Sequence, residues 1–246
     1  MTSSRFPGKV MKNILGKPVL ELLVERLKTV GLINDIVVAT TINKSDDIIE
    51  GLCRNAGVKC FRGSENDVLG RVLGAAKSVD ADLIVEITGD CPLIDPDIVR
   101  ECIKLFLKGD YDYVSNGCLE KTFPDGLAVQ VFPVRVLEEV NLLTKDPVDH
   151  EHVSLYIYKH PGKYKLKNYR AEGELFWPEL AITLDTLEDY ELIKRIYEEL
   201  YPRNHSFTAY DVVRFIRNNP GLISVNKDSA RNADYIKSVP RKAKNA

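Results

Sequence analysis

The sequence predicts an α/β fold built on a mostly parallel sheet with helices on both faces. Between residues 19 and 115, segments with helical apolar periodicity alternate with short runs rich in Val and Ile. Those runs lack strict in/out alternation, so they suit strands covered on both sides, as parallel sheets require. The exits from three of them, Thr40-Thr41, Arg62-Gly63-Ser64 and Thr88-Gly89-Asp90, are rich in hydroxyls or glycine. Ligands bind such sheets outside the carboxyl ends of the strands.

The elements follow in order. Residues 19–32 read as a helix with Leu20, Leu23, Val24, Leu27 and Val30 on one face and Gly31 as its stop. Residues 35–41 read as a buried strand. Residues 43–57 read as a helix capped by Asn43 or Ser45 and ended by Gly57. A short strand at 58–61, a helix at 66–79 and a buried strand at 82–88 come next. Asp95-Pro96 opens a helix that runs to about residue 108, with proline in its first turn. Residues 111–115 form a further strand.

Beyond residue 115 the alternation breaks. Phe123-Pro124-Asp125-Gly126 is a turn. Strands are expected at 127–132, 164–169 and 180–184. Helices are expected at 134–143, 149–160, 187–200 and 208–218, the last capped by Thr208. No internal repeat or low-complexity linker divides the chain. Its 246 residues are expected to form a single domain, 1–115 as a nucleotide-binding half and 116–246 as the acceptor side and C-terminal helices.

Composition excludes several classes. A net charge of -2 gives no electrostatic case for nucleic acid or an acidic membrane. No apolar run approaches the roughly 20 residues of a membrane span, and there is no signal-like segment, so a cytoplasmic protein is expected. The cysteines, Cys53, Cys60, Cys91, Cys102 and Cys118, form no C-x-x-C pair and suit small buried residues in a reducing compartment. Cys91 alone sits beside a candidate acid, but no histidine lies near it to activate a thiolate.

Three stretches carry chemistry. Thr2-Ser3-Ser4-Arg5-Phe6-Pro7-Gly8-Lys9 gathers hydroxyls, a glycine and two cations with no apolar period, a combination suited to phosphate oxygens. In Thr88-Gly89-Asp90-Cys91-Pro92-Leu93 a lone carboxylate stands at the end of a buried strand. Asp90 there is a turn residue, or a ligand for a divalent cation that bridges nucleotide phosphates, or it yields that role to Asp95. In Leu184-Asp185-Thr186-Leu187-Glu188-Asp189, Asp185 or Thr186 caps the following helix, or Asp185 meets Asp90 to complete a metal site. His150-Glu151-His152 is not a zinc-helix motif, and its role is structural or a substrate contact. Lys163, Lys165 and Lys167 alternate as a solvated strand face would.

These stretches, with Val38-Ala39-Thr40-Thr41, Phe61-Arg62-Gly63-Ser64-Glu65-Asn66-Asp67-Val68, Pro124-Asp125-Gly126-Leu127 and Arg231-Asn232, occur in an order that resembles one family. It is the cytidylyltransferase family of the spore-coat polysaccharide biosynthesis protein F type, related to the CMP-ketodeoxyoctonate and CMP-sialate synthetases. The resemblance implies a nucleotide-diphosphosugar-transferase-like Rossmann fold. It implies transfer of CMP from CTP to a sugar-like acceptor, release of pyrophosphate and use of Mg²⁺.

Carried over by position, Ser3, Ser4, Arg5 and Lys9 would wrap the triphosphate, and Gly63, Ser64 and Asp67 would line the cytidine side. Gly8, Thr88 and Gly89 complete the nucleotide-binding set. Asp90 and Asp185 would be metal ligands and, with Arg5 and Lys9, the catalytic set. Asp125 and Gly126 would lie near the acceptor, with His152 as a third acceptor-side candidate. The wider group includes dimers, so a homodimer is among the expectations. Two features depart from the family. Acidic positions after Pro124-Asp125-Gly126-Leu127 are Ala128 and Gln130 here, and the usual strand before the Ser-Ser-Arg loop is missing, so a further strand is expected upstream of Met1. The competing readings are a sugar-phosphate nucleotidyltransferase, a glycosyltransferase of the same fold, and a truncated homologue that binds nucleotide without turnover.

Overall fold

A computed structural model describes Met1, residues 5–224 and Asn226. The chain begins with a 3₁₀ turn, Lys9–Met11, and a small antiparallel hairpin of β1 (Asn13–Ile14) and β2 (Lys17–Pro18). Leu15 and Gly16 turn that hairpin with φ of 52° and 80°, the geometry that tight hairpins select. Then come α1 (Val19–Lys28), β3 (Val37–Thr41), α2 (Asp47–Ala56), β4 (Lys59–Gly63), α3 (Val68–Lys77), β5 (Leu83–Glu86), α4 (Pro96–Lys108) and β6 (Tyr113–Ser115). The second half contains β7 (Gln130–Pro133), α5 (Val134–Leu143), α6 (Pro147–Glu151), α7 (Leu155–Lys159), β8 (Leu166–Asn168), α8 (Leu187–Leu200) and α9 (Ala209–Asn218).

Strands β3 and β4 pair in parallel. A second sheet has the order β5-β7-β6-β8. Its β7 runs antiparallel to both neighbours, and β6 and β8 are parallel, so β5, β6 and β8 share one direction. Neighbouring residues of this sheet face opposite apolar clusters. Val114 and Val131 join the cluster that includes α4, α8 and α9, whereas Tyr113 and Phe132 join the one that includes α3 and α5. Burial on both faces explains why the apolar runs showed no alternation.

Several expected boundaries hold because local chemistry sets them. Asp95 caps α4 through Asp97 N at 2.7 Å, and Pro96 follows in the first turn. Gly57 ends α2 with φ 64°. Thr186 and Thr208 cap α8 and α9 in reciprocal boxes with Asp189 and Asp211.

Two expectations are corrected. Residues 149–160 are not one helix: Val153 takes a φ of 49° and separates α6 from α7. Residues 180–184 do not form a strand. They run between two loops, making a single parallel bridge from Ala181 to Asp125 and a bond from Leu184 N to the Asp90 carbonyl at 2.8 Å.

Buried polar ties fix the loop that carries Asp90. The second carboxylate oxygen of Asp95 accepts Ala209 N at 2.5 Å, which joins the start of α4 to the start of α9. Arg26 is buried in α1 and donates to the Ile94 carbonyl at 2.6 Å and the Phe207 carbonyl at 2.8 Å. Tyr197 donates to the Pro92 carbonyl at 2.7 Å. Removing an acceptor here leaves buried N–H groups unpaired. Asp95→Ala should therefore lower the free energy of unfolding by about 2–4 kcal/mol, one cap plus one orphaned donor. Urea denaturation measures this, and a loss below about 1 kcal/mol would contradict the double role of Asp95.

Candidate active site

At the end of the first stretch, Gly8 N donates to the Met1 carbonyl at 3.1 Å. Gly8 takes φ 68° before the 3₁₀ turn at Lys9–Met11, a left-handed conformation that favours glycine. The turn is closed by Met11 N to the Gly8 carbonyl at 2.9 Å. It aims Lys9 at two carboxylates far away in sequence. Lys9 Nζ lies 3.1 Å from Asp90 Oδ2 and 2.9 Å from Asp185 Oδ1. Arg5 Nη2 lies 3.0 Å from the same Asp185 oxygen. Burial alone would lower the Lys9 pKa, but Asp90 and Asp185 outweigh it and hold the ammonium above its ordinary value.

The two acids are placed by backbone rather than by each other. Asp90 follows β5 on a turn closed by Cys91 N to the Thr88 carbonyl at 3.1 Å. Its carbonyl accepts Leu184 N, so the residue before Asp185 is fixed against it. Thr186, not Asp185, caps α8, and Asp185 N instead donates to Asp189 Oδ2 at 3.1 Å. The Asp185 carboxylate is thereby left for Lys9 and Arg5.

Two carboxylate oxygens meeting one ammonium nitrogen at about 3 Å share a common cation locus. Mg²⁺ is typically held by one or two carboxylates together with substrate phosphates, so this donor set fits such an ion. Among the described residues no group of three or more His, Cys, Asp or Glu could hold a metal by itself. The locus therefore suits an ion shared with a ligand rather than an all-protein cage.

Gly126 is required for the close approach of the 124–127 turn to the chain that leads to Asp185. Its φ is 107°, and a Cβ there would lie 2.8 Å from the Ile182 carbonyl carbon and oxygen. Asp125 N donates to the Leu180 carbonyl and Ile182 N to the Asp125 carbonyl, both at 2.8 Å. The Asp125 carboxylate accepts Lys121 Nζ at 2.8 Å. A small pocket beside this pair is lined by Asn116, Lys121, Phe123, Asp125 and Ala128.

The 63–67 segment is a separate cluster. Ser64 Oγ accepts Asp67 N at 3.2 Å, and Asp67 caps α3 through Gly70 N at 2.8 Å. A Cβ on Gly63 would meet Arg71 Cγ at 3.0 Å. The hydroxyls of Thr40 and Thr41 are taken by Asp46 Oδ2 at 2.6 and 2.8 Å, so the end of β3 is used structurally. Gly89 sits beside Val10, and Thr88 Oγ1 is 3.2 Å from Cys91 Sγ. Burial, then the neighbouring Asp90 charge, pushes the Cys91 thiol well above its ordinary pKa, which disfavours the thiolate. His152 ends α6, and its backbone N donates to the Val148 carbonyl at 3.1 Å. Ser3, Ser4, Arg231 and Asn232 lie outside the described residues.

Sequence reasoning singled out His150 and Gln130 without their partners, and it missed Glu86 altogether. His150 Nδ1 lies 2.7 Å from Asp67 Oδ1, a long-range pair with no local signature. Gln130 Oε1 accepts Tyr113 OH at 2.7 Å and also Ser154 Oγ, so this departure from the family pattern serves an interior network. Glu86 Oε2 is buried with no hydrogen-bond partner among the described residues, and burial pushes the carboxyl up to about 8. An acid inside the apolar run at 83–87 was the available signal for it.

Comparisons with known proteins identify the family and the fold. A family model described as Cytidylyltransferase matches residues 1–209. The spore coat polysaccharide biosynthesis protein SpsF of Bacillus subtilis (strain 168) is 32% identical over 227 residues, covering 89% of this chain and 92% of that protein. The structure of a cytidylyltransferase from Leptospira borgpetersenii serovar Hardjo-bovis superposes with a TM-score of 0.86 at 33% identity, covering 94% of this chain and 95% of the other. A CMP:2-keto-3-deoxy-manno-octonic acid synthetase complexed with CTP shares the fold, with a TM-score of 0.60 at 15% identity over 80% of this chain and 95% of its own. The nucleotidyltransferase Rossmann-like fold is thus established, and the chain belongs to the cytidylyltransferase family of nucleotidyltransferase enzymes.

Proposed function

We propose that the protein transfers CMP from CTP to a sugar-like acceptor and releases pyrophosphate, as a step in surface polysaccharide or glycan assembly. The observation that carries this reading is the convergence of Lys9, Arg5, Asp90 and Asp185. Two cations and two carboxylates at one place suit a triphosphate with its divalent ion. A glycosyltransferase has no triphosphate to hold, and this cluster favours nucleotidyl transfer over it. Support for CTP comes from the matched family and from the CTP complex of the structural neighbour. Support for a polysaccharide role comes from the name of the Bacillus relative. The two halves, 1–115 and 116–246, act in this reading as one nucleotidyltransferase domain, with Asp90 from the first and Asp185 from the second.

Nucleotidyl transfer is an in-line displacement at the α-phosphorus, and it depends on positioning and charge neutralisation more than on covalent catalysis. Lys9 and Arg5 offset the charge that builds on the leaving pyrophosphate. Asp90 and Asp185 would hold Mg²⁺, which when bound polarises a phosphate oxygen and orients the incoming nucleophile. Gly8 keeps the turn tight enough for Lys9 to reach the carboxylates. Ser3 and Ser4 add hydroxyls to the triphosphate cradle, and Gly63, Ser64 and Asp67 line the cytidine side with Thr88 and Gly89 at the strand end. The acceptor side is formed by Asp125, Gly126 and His152. Ala128 lines the pocket next to Asp125 and leaves room there that a larger acid would fill.

Pyrophosphate release in the presence of each of the four nucleoside triphosphates and a panel of sugar acids and sugar phosphates tests this reading. CTP should be preferred. Asp90→Asn should lower kcat/KM by at least about 100-fold, the scale of losing one ligand of a charge-stabilising ion. Far-ultraviolet circular dichroism should be unchanged in that variant. Lys9→Met should lower kcat/KM by about 100- to 1000-fold, comparable to loss of an oxyanion donor. A well-folded Asp90→Asn protein with wild-type turnover would exclude the assignment.

A further inference from the structure

The His150 ring lies between two acceptors. Nδ1 is 2.7 Å from Asp67 Oδ1 and Nε2 is 3.1 Å from the Thr144 carbonyl oxygen. A carbonyl oxygen can only accept, and an ionised carboxylate can only accept. Both ring nitrogens must then donate, and a neutral imidazole has one N–H to give. The geometry is satisfied in full only by the doubly protonated ring. Both partners have structural consequences. Asp67 closes the 63–67 turn through Ser64 and caps α3 through Gly70, so its carboxylate sets where that loop sits. Thr144 precedes α6, whose Asp149 takes the Thr144 hydroxyl at 2.7 Å. His150 itself is two residues before His152.

We propose that His150 is a positioning residue whose imidazolium pins the 63–67 loop to the α6 segment leading into His152, and so ties nucleotide affinity to pH. This rests on the reading of Gly63, Ser64 and Asp67 as the cytidine side of the site. One ring then joins the segment assigned to the nucleotide to the segment assigned to the acceptor.

The charged surroundings set the direction. Asp67 faces the ring from the cap of α3, with Arg71 behind it in the same helix. Lys145 opposes the positive ring from the connection before α6, and Asp146, Asp149 and Glu151 stand on or beside the His150 helix. The bond to Asp67 raises the His150 pKa first, burial lowers it, and the Thr144 carbonyl raises it again, for a net rise above 6.5. Burial raises Asp67, but the bonds from His150 and Gly70 N hold it below 3.8. A raised histidine contributes fully below its unfolded value and is lost as pH rises through the folded one. A lowered carboxylate contributes above its unfolded value and is lost as pH falls through the folded one. The latch is therefore closed on the acid side of the raised His150 pKa and opens on its alkaline side.

Two measurements on the full chain test the proposal. The first is a carbon-edited NMR titration of the His150 ring. In the wild type it should titrate above 6.5, and in Asp67→Asn it should move down toward 6.5. The second is calorimetric titration of CTP with Mg²⁺ from about pH 6 to about pH 9, across the range where histidine changes charge. His150→Gln should weaken CTP binding by about threefold to tenfold at the acid end, the scale of one partly exposed charged hydrogen bond, and by nothing at the alkaline end. Taking the ratio of variant to wild type at each pH removes the nucleotide's own protonation. His150→Arg, a cation at every pH, should retain affinity with no loss toward alkaline pH. A ratio that stays constant with pH, or a wild-type His150 that titrates at or below 6.5, overturns the proposal. A wild type that binds no CTP at any pH instead overturns the nucleotide reading of the site, and the latch's control of affinity falls with it.

Discussion

One ammonium group organises the site. Lys9 Nζ sits within 3.1 Å of Asp90 and 2.9 Å of Asp185, residues separated from it by 81 and 176 positions. The attraction between these three groups fixes a loop, a strand end and a helix start relative to one another. It does so where water is partly excluded, so the interaction is stronger than an exposed pair would be. The Asp185 oxygen also takes Arg5, which gives each carboxylate a cation and the locus a balanced charge. A balanced cluster of this type can exchange partners, carboxylates to a divalent ion and cations to phosphate, without exposing an uncompensated buried charge.

The scaffold around the cluster assigns helix capping to other residues, so neither Asp90 nor Asp185 is a cap. Thr186 and Asp189 cap α8, which frees Asp185. Asp95 caps α4 and binds the start of α9, which frees Asp90. Gly126 lets the turn at 124–127 lie against the 182–183 backbone, and Leu184 N bonds to the Asp90 carbonyl. Backbone hydrogen bonds thus hold the two acid-bearing segments together, and the Lys9 contacts tie the first loop to both. Asp67 differs, because its own carboxylate caps α3 and is itself held by His150.

Local chemistry made much of this legible from residues alone. Asp95-Pro96, Thr186 with Asp189 and Thr208 with Asp211 announce helix starts through their own side chains, and those starts are where they were expected. The buried runs were legible because burial on both faces suppresses alternation. Asp90 and Asp185 stood out as acids at strand ends, although spacing left open whether Asp185 was only a cap. What was not legible is long-range. Residues 180–184 look like a strand by composition but are consumed by the Asp125 bridge and the Asp90 carbonyl. The break at Val153 depends on a positive φ that a β-branched residue does not advertise. The His150–Asp67 pair spans 83 positions and has no local signature. The family resemblance supplied the convergence of the four charged residues, which no periodicity encodes.

The central claim is that the Lys9, Asp90 and Asp185 locus is where a divalent ion and the triphosphate of CTP meet. A crystal structure of the protein with CTP and Mn²⁺, read by the anomalous signal of the metal, tests it most directly. The account predicts a metal peak shared by Asp90 and Asp185, with Lys9 and Arg5 moved onto phosphate oxygens. A metal peak away from both carboxylates, or CTP bound with Lys9 still held between them, would contradict it.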